Sequence, residues 1–170
     1  MLQPNIILTG FMGTGKSTLG RILAARIGYQ FIDTDQEIEK QAGMTVSELF
    51  QTQGEATFRR LETELVTTLA QRQGLVIATG GGLVLNPVNV QRLSHSGRII
   101  CLTASVDDIL KRTSQQGQTR PLLQEADPKS KINELLRQRD PVYRQFPQLS
   151  TSDHSQAELI EQLICLAQSD

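Results

Sequence analysis

Several things are scarce in this sequence, and each shortage excludes something. Of its 170 residues none is Trp, and aromatic residues reach only 4%. Apolar residues at 38% and charged residues at 21% still suffice for one sizeable core, and that mixture is too hydrophobic for a disordered chain. No sign of charge is in excess: 17 basic against 18 acidic residues give a net charge of −1. Without a basic field to hold a phosphate backbone, nucleic-acid binding is not expected. No apolar run exceeds the length of a strand, so no segment is expected to cross a bilayer. The start, Met1-Leu2-Gln3-Pro4, has none of the charged, apolar and small-residue zones of a signal peptide. The two cysteines, Cys101 and Cys165, fit neither a disulfide framework nor a metal motif. Both are expected to be reduced core thiols in a cytosol-like, cytoplasmic setting. His95 and His154 lie near no cluster with ligand spacing and are read as structural or exposed.

What is present is a rhythm. Ile6-Ile7-Leu8, Leu75-Val76-Ile77-Ala78 and Ile99-Ile100-Cys101-Leu102 read as buried strands, and Gln30-Phe31-Ile32 as a weaker one. Helical periods follow them, as in a parallel sheet built from βαβ units. Leu19, Ile22, Leu23 and Ile27 make one apolar stripe that Gly28 can terminate. Thr45 to Glu48 and Ser155 to Glu158 have the form of capping boxes. Phe58, Leu61, Leu65 and Leu69 mark a longer helix, and Ser105 caps another carrying Val106, Ile109 and Leu110. Pro128 suits the first turn of a helix with Ile132, Leu135 and Leu136, and the last helix carries Leu159, Ile160, Leu163 and Ile164. Ser114 to Asp127 has no period, and a loop of that length is usually a functional lid or disordered. The expectation is a single α/β domain over residues 1–170, with helices on both faces of a mostly parallel sheet.

The sharpest motif is Gly10-Phe11-Met12-Gly13-Thr14-Gly15-Lys16-Ser17, which fits G-x-x-x-x-G-K-[ST] between a strand and a helix. Glycines let the backbone curl so that several N–H groups face phosphate oxygens, and the helix N-terminus adds positive dipole. Lys16 is placed to reach the β- and γ-phosphates, and the Ser17 hydroxyl to coordinate Mg²⁺. With glycine at ~7% of average usage, a chance match occurs in about one such chain per hundred or fewer.

A phosphate loop alone does not choose among kinases, motors and switches. Asp33-Thr34-Asp35 ends the second strand, where side chains look into the ligand crevice of a parallel sheet. On an extended segment the two carboxylates would point into one site, one holding a Mg²⁺-bound water and the other a substrate hydroxyl. Alternatively, Asp35 caps the next helix and Asp33 is exposed. Arg59 and Glu62 are i,i+3 partners: either a surface ion pair, or a carboxylate orienting a guanidinium to grip an anion bidentately. Gly80-Gly81-Gly82 follows the third strand as a flexible turn or as a place where a ligand approaches the main chain. Lys111 to Arg144 holds eight basic and four acidic residues, a surplus suited to anionic ligands or to a solvated helix face. Arg120, beside Pro121 in the aperiodic segment, is the candidate for an arginine closing over the transferring phosphate.

Together these motifs resemble the shikimate kinase family over essentially the whole chain. The resemblance rests on G-F-M-G-T-G-K-S-T, F-I-D-T-D, G-E-x-x-F-R-x-x-E, the triple glycine, Arg120-Pro121-Leu122-Leu123, and Arg139-Asp140-Pro141-Val142-Tyr143. It implies a three-layer α/β/α P-loop kinase with a five-stranded parallel sheet in order 2-3-1-4-5, working as a monomer. It also implies a substrate-binding segment at about 33–62 and a mobile lid at about 112–127. The implied reaction moves the γ-phosphoryl of ATP to the 3-hydroxyl of shikimate, with Mg²⁺, in aromatic amino-acid synthesis. By motif match, Gly13, Thr14, Gly15, Lys16, Ser17 and Thr18 would wrap the phosphates. Asp35 would hold shikimate hydroxyls, Arg59 and Arg139 its carboxylate, and Gly81 its ring face. Ser17 and, through water, Asp33 would serve the metal; Lys16, Asp33 and Arg120 would be catalytic, with Arg120 also on ATP. The rivals are another small-molecule P-loop kinase, of gluconate or nucleoside monophosphate type, and a non-catalytic relative that only binds nucleotide or a partner. The first would not explain paired carboxylate-gripping arginines beside D-x-D, and the second should have lost one of these residues.

Overall fold

Residues 3–115 and 127–168 are described by the computed structural model, so Arg120 and most of the expected lid lie outside the described residues. Five strands, β1 (Asn5–Gly10), β2 (Gln30–Asp33), β3 (Leu75–Ala78), β4 (Gly97–Thr103) and β5 (Gln148–Ser150), form one sheet in the order β2-β3-β1-β4-β5. All four pairings are parallel. Every residue of β1 and β3 is buried, which is why they read as unbroken apolar runs rather than as alternation.

The pleat divides the core in two. Ile6 and Leu8 of β1 face one side with Val76 and Ile100, covered by α1 (Lys16–Ile27) through Leu19 and Leu23 and by α7 (Gln156–Gln168) through Leu163. Ile7 and Ile77 face the other side, with Leu65 and Leu69 of α3 (Val46–Leu69), Leu93 of α4 (Pro87–Ser96), Ile109 of α5 (Val106–Gln115) and Ile132 of α6 (Pro128–Tyr143). Each of these buried Leu or Ile side chains, cut to Ala, would cost roughly 2–5 kcal/mol. Among the described residues no helix is long and apolar enough to cross a membrane.

The local signals hold at several helix ends. Gly28 closes α1 in the left-handed conformation, Ser105 Oγ accepts from Asp108 N, and Pro128 opens α6. Both capping boxes form: Thr45 Oγ1 accepts from Glu48 N while Glu48 accepts from Thr45 N, and Ser155 and Glu158 do the same. Several expectations need correction. The Thr45-capped helix and the Phe58 helix are two, as expected, but they abut within α3, parted only by the non-helical backbone of Gly54 (φ 81, ψ 164). Ser114 and Gln115 belong to α5, so the aperiodic segment starts later than its composition suggests. β5 carries a single apolar residue, Leu149, and exists because β4 offers it a partner edge. Cys101 is buried, but Cys165 is exposed on α7 and is not a core thiol.

Asp33-Thr34-Asp35 is not extended. Asp33 ends β2 and is itself the cap of α2 (Thr34–Ala42), accepting from Asp35 N and Gln36 N. Asp35 therefore sits in the first helical turn, the reverse of the capping alternative.

Candidate active site

Parallel register brings three chain segments to one edge of the sheet. Leu8 of β1 pairs with Ala78 of β3, and Ala78 pairs with Asp33 of β2. The loop after β1, the acidic end of β2 and the glycines after β3 thus emerge side by side at the carboxyl ends, where α/β sheets bind ligands.

The first segment is built for phosphate. Gly13 (φ 73) and Gly15 (φ 92) take left-handed backbone that other residues resist. At Gly13 a Cβ would also stand 3.1 Å from Thr113 Cγ2 and 3.3 Å from the Ile109 carbonyl, so this loop rests on α5. Thr14 is buried, its hydroxyl donating to Phe11 O at 2.8 Å. Gly15 precedes α1 without any side-chain cap, which leaves first-turn N–H groups for an anion, and Thr18 lies exposed in that turn. Lys16 Nζ donates to Gly10 O at 2.8 Å and to Phe11 O at 2.7 Å.

Ser17 Oγ donates to Asp33 Oδ2 at 2.6 Å. One hydroxyl and one carboxylate are too few to cage a cation, and among the described residues there is no group of three or more His, Cys, Asp or Glu able to hold one. Such a sparse donor set does fit Mg²⁺, which keeps several waters and takes phosphate oxygens as further ligands.

The third segment explains the triple glycine. None of Gly80, Gly81 and Gly82 is left-handed, so space is what requires glycine here. A Cβ on Gly80 would stand 2.6 Å from Asp35 Oδ1 and 3.2 Å from Glu62 Oε1. On Gly81 it would stand 3.1 Å from Arg139 Nη1 and 3.6 Å from the Tyr143 hydroxyl, and on Gly82 2.7 Å from Arg59 Nη2. The close approach expected of a ligand is therefore made, in this structure, by the site's own side chains. Gly82→Ala keeps an ordinary φ (−94) but pushes the Arg59 fork aside. Any anion gripped by that fork should then bind at least about 10-fold more weakly, as misplaced binding groups do, while binding at the phosphate loop stays unchanged in the same steady-state assay.

Arg59 and Glu62 are more than a surface pair. Arg59 Nη1 donates to Glu62 Oε2 at 2.8 Å, and Arg59 Nη2 reaches Glu55 Oε1 at 3.0 Å. The Glu62 side chain is 1% exposed, and its Oε1 has no hydrogen-bond partner among the described residues. Burial pushes Glu62 up to about 7, Arg59 opposes that rise, and the nearby Asp35 and Glu55 charges add to it. In the unfolded chain Glu62 titrates near its ordinary value of about 4.3. Between that value and about 7 the folded protein holds a proton that the unfolded chain has lost, so this group's contribution to stability falls as pH rises. Thermal unfolding followed from pH 4 to 8 should show that decline, and Glu62→Gln should flatten it.

Three contributors were given no role by the sequence, although Thr34 and Tyr143 lie inside its motifs. Thr34 Oγ1 accepts from Gly80 N at 2.9 Å and pins the glycine turn. The Tyr143 hydroxyl donates to Gly81 O at 2.7 Å; burial raises its pKa and the Arg139 charge opposes the rise. Arg112 donates to Gly13 O at 3.2 Å and to Thr151 O at 3.0 Å, tying α5 to the phosphate loop and to the turn before α7. Periodicity presents all three as ordinary residues, although Tyr143 falls inside the motif ending R-x-x-x-Y. Burial pushes the Cys101 thiol up to about 11, so it stays protonated and inert near neutral pH.

Known proteins resemble this chain in sequence and fold. The family model described as shikimate kinase matches residues 12–167. A shikimate kinase of Caldanaerobacter subterraneus subsp. tengcongensis is 46% identical over 161 residues, 94% of each chain. One from Thermoanaerobacter pseudethanolicus is 49% identical over 140 residues, 82% of this chain and 81% of its own. The solved structure of a shikimate kinase from Acinetobacter baumannii in complex with shikimate is 38% identical and superposes with a TM-score of 0.89, covering 96% of this chain and 92% of that one. With the phosphate loop, the acidic strand end and the crowded glycine turn at one sheet edge, the chain belongs to the shikimate kinase family.

Proposed function

We propose that the residues gathered at this sheet edge carry the transfer of the γ-phosphoryl group of ATP to the 3-hydroxyl of shikimate, giving shikimate 3-phosphate for aromatic amino-acid synthesis. The observation that carries the assignment of roles is the glycine turn, where Asp35, Arg139 and Arg59 each lie against a successive α-carbon beside the phosphate loop. Two guanidiniums converging there suit a planar carboxylate, which accepts paired N–H bonds. A carboxylate next to them suits the ring hydroxyls.

Asp35 accepts hydrogen bonds from shikimate hydroxyls, Arg59 and Arg139 take its carboxylate, and the Gly81 backbone borders its ring face. The backbone and side chains from Gly13 to Thr18 hold the phosphates, and Lys16 leaves the Gly10 and Phe11 carbonyls for phosphate oxygens. Bound Mg²⁺ would supply charge neutralisation across the β- and γ-phosphates, with Ser17 as ligand and Asp33 holding it through water. The shikimate oxygen bonds to the γ-phosphorus while the bond from that phosphorus to the bridging oxygen of ADP breaks. The hydroxyl proton leaves toward the acidic end of β2, where Asp33 stands. Arg120, outside the described residues, is assigned to the charge on the transferring group. On the same reading the 170 residues act as one catalytic unit, a monomeric cytoplasmic enzyme whose partners are small molecules, with no nucleic acid or membrane involved.

ADP release measured with shikimate, quinate, gluconate and nucleoside monophosphates tests the reading. Release should require both shikimate and Mg²⁺. ADP production indifferent to added shikimate, or unaffected by chelating the metal, would overturn it.

A further inference from the structure

The phosphate-loop motif leaves the residue after its first glycine unspecified, yet here that residue is a phenylalanine buried to 1% exposure. Phosphate binding gives no reason for a large aromatic ring at this place. The ring of Phe11 lies beneath the Arg139 guanidinium, with Cζ 5.3 Å from the ring centroid. We propose that Phe11 is a positioning residue for the acceptor substrate: its ring face holds the Arg139 guanidinium flat while leaving the N–H edge of that fork to the shikimate carboxylate. The inference rests on the reading above that Arg139 grips that carboxylate.

The contrast with Arg59 carries the argument. Arg59 is oriented by two carboxylates, Glu62 at 2.8 Å and Glu55 at 3.0 Å, which also occupy much of its fork. Among the described residues Arg139 has no carboxylate within ion-pair distance. A carboxylate holding Arg139 would compete with the ligand for the same N–H groups. An aromatic face attracts the cation through its quadrupole, perpendicular to those groups, and competes for none of them. The ring is itself held by the core around it, since Phe11 is buried in the main apolar cluster, and its backbone carbonyl accepts from Thr14 Oγ1 at 2.8 Å. The Tyr143 hydroxyl also lies beside Arg139 and donates to Gly81 O. The guanidinium is thus bounded by an aromatic face and a phenol, with its charge left for the substrate.

The test is a series in which Phe11 is replaced by phenylalanine carrying one, two or three ring fluorines, with steady-state kinetics and Tm for each. Fluorination drains the ring face with little change of shape. KM for shikimate should climb stepwise to about 5-fold or more at three fluorines, the size of a partly desolvated cation–π contact, with KM for ATP and Tm held. Phe11→Leu should raise KM for shikimate by a similar factor and Phe11→Tyr should restore it. A flat KM for shikimate across the fluorinated series, or an equal rise in KM for ATP, would overturn the proposal. Arg139→Lys measured alongside separates two failures. If it is damaging while the fluorinated series is flat, only the Phe11 role falls. If it leaves KM for shikimate unchanged, the Arg139 assignment falls and the Phe11 role with it.

Discussion

Replacing Arg120 with alanine will lower kcat by about 10²-fold or more, the scale of a lost catalytic arginine, while shikimate affinity stays close to its original value. Charge spreads over the γ-phosphoryl oxygens in the transition state, and a group aimed at that charge contributes most when water is excluded. Arg120 lies in the one long aperiodic stretch of the sequence, in a run whose neighbours carry a basic surplus. The residues assigned to shikimate lie elsewhere, Asp35 on α2, Arg59 on α3, Gly81 after β3 and Arg139 on α6. An arginine acting mainly on the transition state should therefore change the chemical step without changing acceptor binding. Equilibrium binding of shikimate and single-turnover rates on Arg120→Ala decide the matter. A large loss of shikimate binding with an intact chemical step would remove Arg120 from the role given to it.

Asp33→Asn should cost kcat about 10²-fold or more, comparable to removing one preorganised electrostatic group, with almost no change in Tm. Asp33 has two separate duties, one on each oxygen. Its Oδ1 accepts from Asp35 N at 3.1 Å and Gln36 N at 3.3 Å, capping α2, while Oδ2 accepts from Ser17 Oγ at 2.6 Å. Asparagine caps helices about as well as aspartate, so the fold is kept. The amide has no negative charge to hold a metal-bound water or to take a proton. The Mg²⁺ concentration needed for half-maximal activity should rise in parallel. A variant that loses Tm by the amount of a missing cap, yet keeps its kcat per folded molecule, would show that Asp33 only closes the helix.

Where residues close in sequence settle the geometry, the sequence alone was enough. The strand–loop–helix phosphate motif, the capping boxes at Thr45 and Ser155, the left-handed stop at Gly28 and the pairing of Arg59 with Glu62 all depend on neighbours within a few residues. Their backbone hydrogen bonds and side-chain spacings are complete before any long-range contact forms. Even the triple glycine announced that something comes close to the main chain at that point.

What comes close was decided by the tertiary structure. Parallel pairing sets Leu8 beside Ala78 and Ala78 beside Asp33, and that register delivers Asp35, Arg139 and Arg59 to three successive α-carbons from three different helices. No local pattern encodes a meeting of residues so far apart in the chain. Asp33, rather than Asp35, became the helix cap because α2 begins at Thr34, sooner than the acidic pair suggested. β5 became a strand only because β4 presented an edge to it. Phe11, Thr34 and Tyr143 gained their places beside Arg139 and the glycine turn in the same way. Sequence determined which chemical groups the chain carries and how each short segment folds; the crossing of the sheet determined which of those groups face one another.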